Sequence, residues 1–141
     1  MKMAYKRKTW QEKLHNGHPD KVEVVDKKFG DVPEGATMYI ATPGIVDAYI
    51  RNIPAGRHTS LQQMRKDLAA GHNAEYCCPI TSGIFLRIVA EAAYEEYRAG
   101  KPLKKITPFW RMIDSKTPVA KKLTFGVDFI IEQRKKERLS F

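Results

Sequence analysis

The sequence predicts an α+β fold, a mostly helical body preceded by a small lobe that contains strands. Three features of the chain point to it. After Thr42, apolar residues recur at helical spacing in four segments, three of them opened by a hydroxyl residue or a proline. Before Thr42, KVEVV alternates like a strand and TMYIAT has strand composition. Glycine or proline marks most of the junctions between these stretches. The chain has 141 residues and 43% hydrophobic content, enough for one compact domain with a core. We expect residues 1–41 to form a basic tail and small N-terminal lobe, and residues 42–141 the helical domain.

Taken in order, residues 1 to about 8 read as a basic tail. TWQEKLHNG forms a short helix, with Thr9 as N-cap, Glu12 completing a capping box and Gly17 as the stop. KVEVV and TMYIAT are two strands joined by the turn-rich FGDVPEGA. Thr42 caps a helix whose first position is Pro43, where a missing N–H costs nothing; Ile45, Val46, Tyr49, Ile50 and Ile53 share one face, and Pro54 and Gly56 end it. The next helix begins at Thr59 or Ser60, buries Leu61, Met64 and Leu68, and closes at Gly71. After the polar loop HNAEYCC, Pro79 opens a longer helix with Phe85, Ile88, Val89 and Ala92 on one stripe and Arg87, Glu91 and Arg98 on a more polar side. ITPFWRMID, residues 106–114, is expected to be extended, because Pro108 disfavours helix at Thr107 and the segment is β-branched and aromatic. A last helix runs from about Val127 to Arg138, with EQRKKERL as a solvated face. This order of elements is compatible with a helix-turn-helix or winged-helix DNA binder.

Charge points the same way. The net charge is +9, and from Lys101 onward 11 Lys and Arg stand against 4 Asp and Glu. Such an excess favours a polyanionic partner through phosphate neutralisation and counterion release; the alternative is a solubilising surface. No apolar run approaches the ~18 residues of a membrane span, and MKMAYKRKTW lacks the apolar segment of a secretory signal, so a cytoplasmic protein without membrane association is expected. Cys77 and Cys78 are adjacent, awkward for a mutual disulfide and without a second pair for a metal; EYCCPI offers no thiolate-stabilising neighbour, so reduced, buried thiols are expected. His15, His18, His58 and His72 are scattered, with no metal-ligand spacing and no glycine-rich phosphate loop. His15, His18 and Asp20 form a local trio that reads as solvated. No cofactor and no metal are expected.

Three segments in order carry a resemblance. VDAYIRNIPAGRHTSLQQMRKDLA has a helix ending in Ile-Pro-x-Gly and a Thr or Ser opening the next; CPITSGIFLRIVAEAA is a proline-opened helix; ITPFWRMID follows. Together they resemble the DNA-binding domain of the O6-alkylguanine-DNA alkyltransferases, over roughly Ile45 to Glu137, about two-thirds of the chain. The resemblance implies a winged-helix domain whose recognition helix begins at Pro79 and whose active-site strand, normally Ile-Pro-Cys-His-Arg, falls on ITPFWRMID. In that family the cysteine takes the alkyl group, and the histidine, through water and a glutamate, helps make the thiolate. Here Phe109 stands at the cysteine position and Trp110 at the histidine position, while Pro108 and Arg111 match. A phenyl ring cannot displace an alkyl group, because the reaction needs an anionic, polarizable sulfur. Leu61 stands where the family has a phosphate-rotating tyrosine, and Gly83 where it has an arginine finger; Arg87 lies one turn further on. The chain is similar in this to the alkyltransferase-like branch, which lacks the cysteine and binds alkylated DNA, but it departs from that branch in the histidine, tyrosine and finger.

The implied function is non-enzymatic binding of double-stranded DNA, lesion-containing duplex included, by a monomer. Arg57, His58, Thr59, Ser60, Lys66, Thr81, Ser82, Arg87 and Arg111 are the expected DNA contacts, and Leu61, Pro108, Phe109 and Trp110 the expected pocket residues. For Phe109 and Trp110 core packing is the better-supported role. The rival is a protein-protein interaction module that kept the fold and lost DNA binding, suggested by the apolar middle of the helix opened by Pro79, with Ile84, Phe85, Leu86, Ile88 and Val89, and by Glu91, Glu95 and Glu96 beyond it.

Overall fold

The structure is a computed structural model that describes residues 8–140. It is an α+β fold, and the described residues form six α-helices and one three-stranded sheet. The helix α1, Trp10–Leu14, is opened by a complete capping box: Thr9 Oγ1 accepts the Glu12 N–H at 3.1 Å, and Glu12 Oε1 accepts the Thr9 N–H at 3.4 Å. Strands β1 (Lys21–Val24) and β2 (Thr37–Ile40) pair antiparallel, with Lys21 opposite Ile40 and Val24 opposite Thr37. Thr42 caps α2, Pro43–Arg51, with Pro43 in its first turn; Ser60 caps α3, Leu61–Gly71, by accepting the Gln63 N–H.

Strand β3, Tyr76–Cys77, pairs parallel with β2, so the sheet has the order β1-β2-β3 and includes residues on both sides of Thr42. Only two residues long, β3 has no periodicity by which the sequence could announce it. The longest helix, α4 (Pro79–Arg98), packs against α1, α2, α3 and α5. Gly30 meets its first residue closely: φ is +59°, and a Cβ there would lie 2.9 Å from Pro79 Cγ, so only glycine fits. Arg65 of α3 fixes the same lobe, donating to Asp31 at 2.7 and 3.0 Å and to the Cys77 carbonyl at 2.8 and 3.1 Å.

Two expectations fail here for physical reasons. ITPFWRMID is not a strand: Phe109–Arg111 is a single 3-10 turn, with the Arg111 N–H bonded to the Pro108 carbonyl and the Met112 N–H to that of Phe109. The rings and branched residues that favour a sheet do so by packing on an apolar surface. Here the core supplies that surface directly. EQRKKERL is not wholly solvated either. Within α6 (Asp128–Lys136) and the turn after it, Gln133, Arg134 and Leu139 are buried and Glu137 is half-buried. A further helix, α5 (Pro118–Lys122), carries the same Thr-Pro opening as α2, with Thr117 accepting the Ala120 N–H.

The main core joins Val46 and Ile50 of α2, Met64 of α3, Leu86 and Val89 of α4, and Ile130 of α6 around Phe109 and Ile113. A smaller cluster, Val25, Val32, Ala36, Met38 and Cys78, lies under the sheet lobe. Among the described residues, no helix is long and apolar enough to cross a membrane.

Candidate nucleic-acid interface

The segment at 107–111 is held by a network that begins with a ring. Phe109 has no exposed surface and lies 5.5 to 5.7 Å, centroid to centroid, from Trp110, Phe125 and Phe129. Trp110 is also buried, and its one polar atom needs a partner there: Nε1–H donates to Glu137 Oε2 at 2.7 Å. The Arg111 guanidinium forks onto the same carboxylate, at 2.9 to 3.2 Å, and reaches the Ile53 carbonyl at 2.8 Å. The Gly56 N–H completes the carboxylate's partners at 2.9 Å. Burial alone would push the Glu137 carboxyl up, but the bonds from Arg111, Gly56 and Trp110 outweigh it and hold the group below the usual glutamate range. Arg134, buried beneath, donates to the Trp110 carbonyl at 2.7 Å and to that of Ser140. Among the expected pocket residues, Phe109 is thus core. Pro108 and Trp110 line, with Arg111, a cleft of about 390 Å³ that also contains Arg51 and Lys136.

A different concavity gathers the other features. A groove of about 680 Å³ runs along the N-terminal half of α4, floored by Ile80, Gly83, Ile84 and Ile88 and walled by Trp10 of α1 and Leu61 of α3. Lys13, Arg87 and Lys122 line it, and among the described residues none of its lining side chains is acidic. It adjoins a pocket of about 290 Å³ at the start of α3, with which it shares Leu61, Pro118 and Val119; His58, Thr59 and Ser60 line that pocket, with Asp114 its single carboxylate. Ile80 and Ile84, one turn apart, are 55% and 51% exposed. Burying them would release about 25 cal/mol for each Å² of apolar surface. The first turn of α4 adds N–H groups without helical acceptors.

Of the residues expected to contact DNA, the structure brings His58, Thr59, Ser60 and Arg87 to this continuous surface, with Leu61 at its centre. Arg57 is exposed beside His58 and makes no ion pair among the described residues. Thr81 lies in the first turn of α4, but its hydroxyl is buried, with no hydrogen-bond partner among the described residues. Three others lie elsewhere. Lys66 lines a separate concavity with Asp31 and Glu75. Ser82 is buried and its hydroxyl donates to the Cys78 carbonyl at 2.6 Å. Arg111 is engaged by Glu137.

The family models, curated proteins and solved structures searched give no match to this chain.

Arg87 is oriented from two sides, its guanidinium 5.3 Å from the Trp10 ring centroid and its Nε 3.6 Å from Glu91. Glu91, expected on the polar side of α4, is buried and accepts the backbone N–H and hydroxyl of Thr124 at 2.9 and 2.6 Å. It is a clasp between α4 and the segment after α5. Glu96 pairs with Lys101 near the far end of α4, and none of Glu91, Glu95 and Glu96 lines the groove or its adjoining pocket. Burial pushes the Cys77 thiol up, against the Ser82 hydroxyl 3.4 Å away, which leaves it a poor nucleophile. Sequence reasoning missed Trp10, Lys13, Ile80, Ile84 and Lys122 as parts of one surface. Lys122 had a local signal, the Thr-Pro opening of α5. The docking of α1 on α4, secured by Gln11 Nε2 donating to the Ala92 carbonyl at 2.9 Å, had none.

Proposed function

We propose that the chain is a non-enzymatic DNA-binding protein on a winged-helix scaffold of the alkyltransferase type, with the α4 groove as its duplex-binding surface. The observation that carries this reading is the groove itself, lined among the described residues by three cations, of which Arg87 also pairs with the buried Glu91, and by no carboxylate, and opening at the N-terminal half of the helix that corresponds to the family's recognition helix. Lys13, Arg87 and Lys122 neutralise phosphates, and the α3 start, Arg57 to Ser60, meets the backbone beside them. Ile80 and Ile84 fit the role of apolar wedges between base steps, which compensates for the missing finger at Gly83. The Trp110–Glu137 bond supports the kinship, since the residue at the family's histidine position again donates to a glutamate.

The test is binding to a short duplex with and without O6-methylguanine, over a range of salt. Steep salt dependence is expected, reduced by close to one unit of slope for each of Lys13→Ala and Lys122→Ala. Equal binding to both duplexes would keep DNA and discard lesion recognition. No shift on either at low salt would remove DNA and leave the second reading, a protein partner on the same face, which the exposure of Ile80 and Ile84 favours. Gly83→Arg gives an opposite prediction. The position is helical, and a Cβ there meets only Leu61 Cδ2 at 4.0 Å, so the side chain is accommodated. The variant should bind duplex about tenfold more tightly at low salt and steepen the salt slope by about one. Unchanged affinity would place the duplex elsewhere.

A further inference from the structure

We propose that β1 is a self-association edge, through which two copies of the chain pair antiparallel, centred on Val22, with Lys21 of each copy across from Glu23 of the other. Among the described residues, the sheet order leaves one side of β1 without a neighbouring strand, and all four of its residues are exposed. The ladder with β2 fixes which groups that free side offers. The Val25 N–H donates to the Ala36 carbonyl, and in the same register Glu23 faces Met38 and Lys21 faces Ile40. Hydrogen-bonded pairs alternate along an antiparallel ladder, so Glu23 and Lys21 turn their backbone groups toward β2. Val22 and Val24 turn theirs outward. Their side chains, 44% and 68% exposed, lie together on one face of the strand, while Lys21 and Glu23 share the other face as an ion pair at 3.2 Å.

The outward groups restrict how two such edges can meet, because each hydrogen-bonded pair must join residues that both point outward. Three registers satisfy this. Pairing Val22 with Val24 of the second copy sets Glu23 against Glu23, and pairing Val24 with itself runs each strand into the bend at residues 26–27 of the other copy and leaves Glu23 opposite Val25, with no opposite charge. Like charges directly opposite are destabilising. Pairing Val22 with itself instead places Lys21 against Glu23 twice, in the close non-hydrogen-bonded positions, where opposite charges attract. Of the three registers, this one alone sets the edge lysine opposite a carboxylate of the second copy. A strand this short buries less than the ~1,000 Å² of a stable complex, so the dimer is transient and concentration-dependent.

Sedimentation equilibrium of the full chain between about 10 μM and 1 mM tests it. The average mass of the unmodified chain should climb toward that of a dimer. Lys21→Glu and Glu23→Lys should each weaken association about tenfold or more when alone. An equimolar mixture of the two should restore it, since every β1 carboxylate of the first variant then faces a β1 ammonium of the second. Val22→Pro, which removes the outward N–H at the centre of the pairing and leaves the β2 ladder intact, should abolish it. A monomer at every concentration, association that survives Val22→Pro, or a mixture no stronger than its separate components would overturn the proposal.

Discussion

Replacing Glu137 by alanine is expected to remove about 3–5 kcal/mol of folding stability, read as a lowered urea midpoint. The magnitude follows from what would be left behind. The Arg111 guanidinium, the Trp110 Nε1–H and the Gly56 N–H all converge on this one carboxylate. Without it a largely buried cation and a buried indole N–H lose their acceptor together. Glu137→Gln keeps an acceptor but not the charge, and should cost less. It also separates the contributions by pH. The folded-state pKa of Glu137 is depressed, so its contribution is fully present above the unfolded value of about 4.3 and is lost as pH falls through the folded one. The unmodified protein should therefore lose stability on acidification below about pH 4, and the glutamine variant should lack that component. An alanine variant within about 0.5 kcal/mol of the unmodified protein would show that the network contributes nothing to the fold.

Phe109→Ala should be comparably severe, about 3–5 kcal/mol, because the ring is fully buried and its removal opens a cavity among Trp110, Phe125 and Phe129. The same variant distinguishes a packing role from a stacking role. A core ring gives a large stability loss, with duplex affinity unchanged once the protein is folded. A stacking platform gives the reverse, a stable variant with weakened binding, and that outcome would move the binding surface from the α4 groove to the Pro108–Arg111 segment.

What could be read from the chain before its coordinates was what a few neighbouring residues settle among themselves. The Thr9–Glu12 box, the Thr42-Pro43 opening and the cap expected at Thr59 or Ser60, which falls on Ser60, each satisfy a backbone N–H within one turn, and the proline start at Pro79 also stands where expected. Less legible were groups whose partners lie far along the chain. Glu91 has the spacing of a polar-face residue, and only Thr124, brought in by the segment after α5, makes its burial affordable. Glu137 sits in a run of charges that looks solvated until Arg111 is placed beside it. Rings in a β-like segment could not reveal that they would fill a core through a 3-10 turn instead of a strand. For the interface, the cations were visible as composition, but which of them share a groove depended on α1 folding back onto α4.

The span between Arg111 and Glu137, 26 residues, has a consequence for how the molecule is made. Translation adds about 5–20 residues per second, so the guanidinium and the indole emerge from the ribosome roughly 1–5 s before their shared acceptor. For that interval Arg111 and Trp110 lack the carboxylate that accepts from both of them in the folded chain. Glu137 caps α6, so the network around Arg111 and Trp110 closes only once that helix has been made.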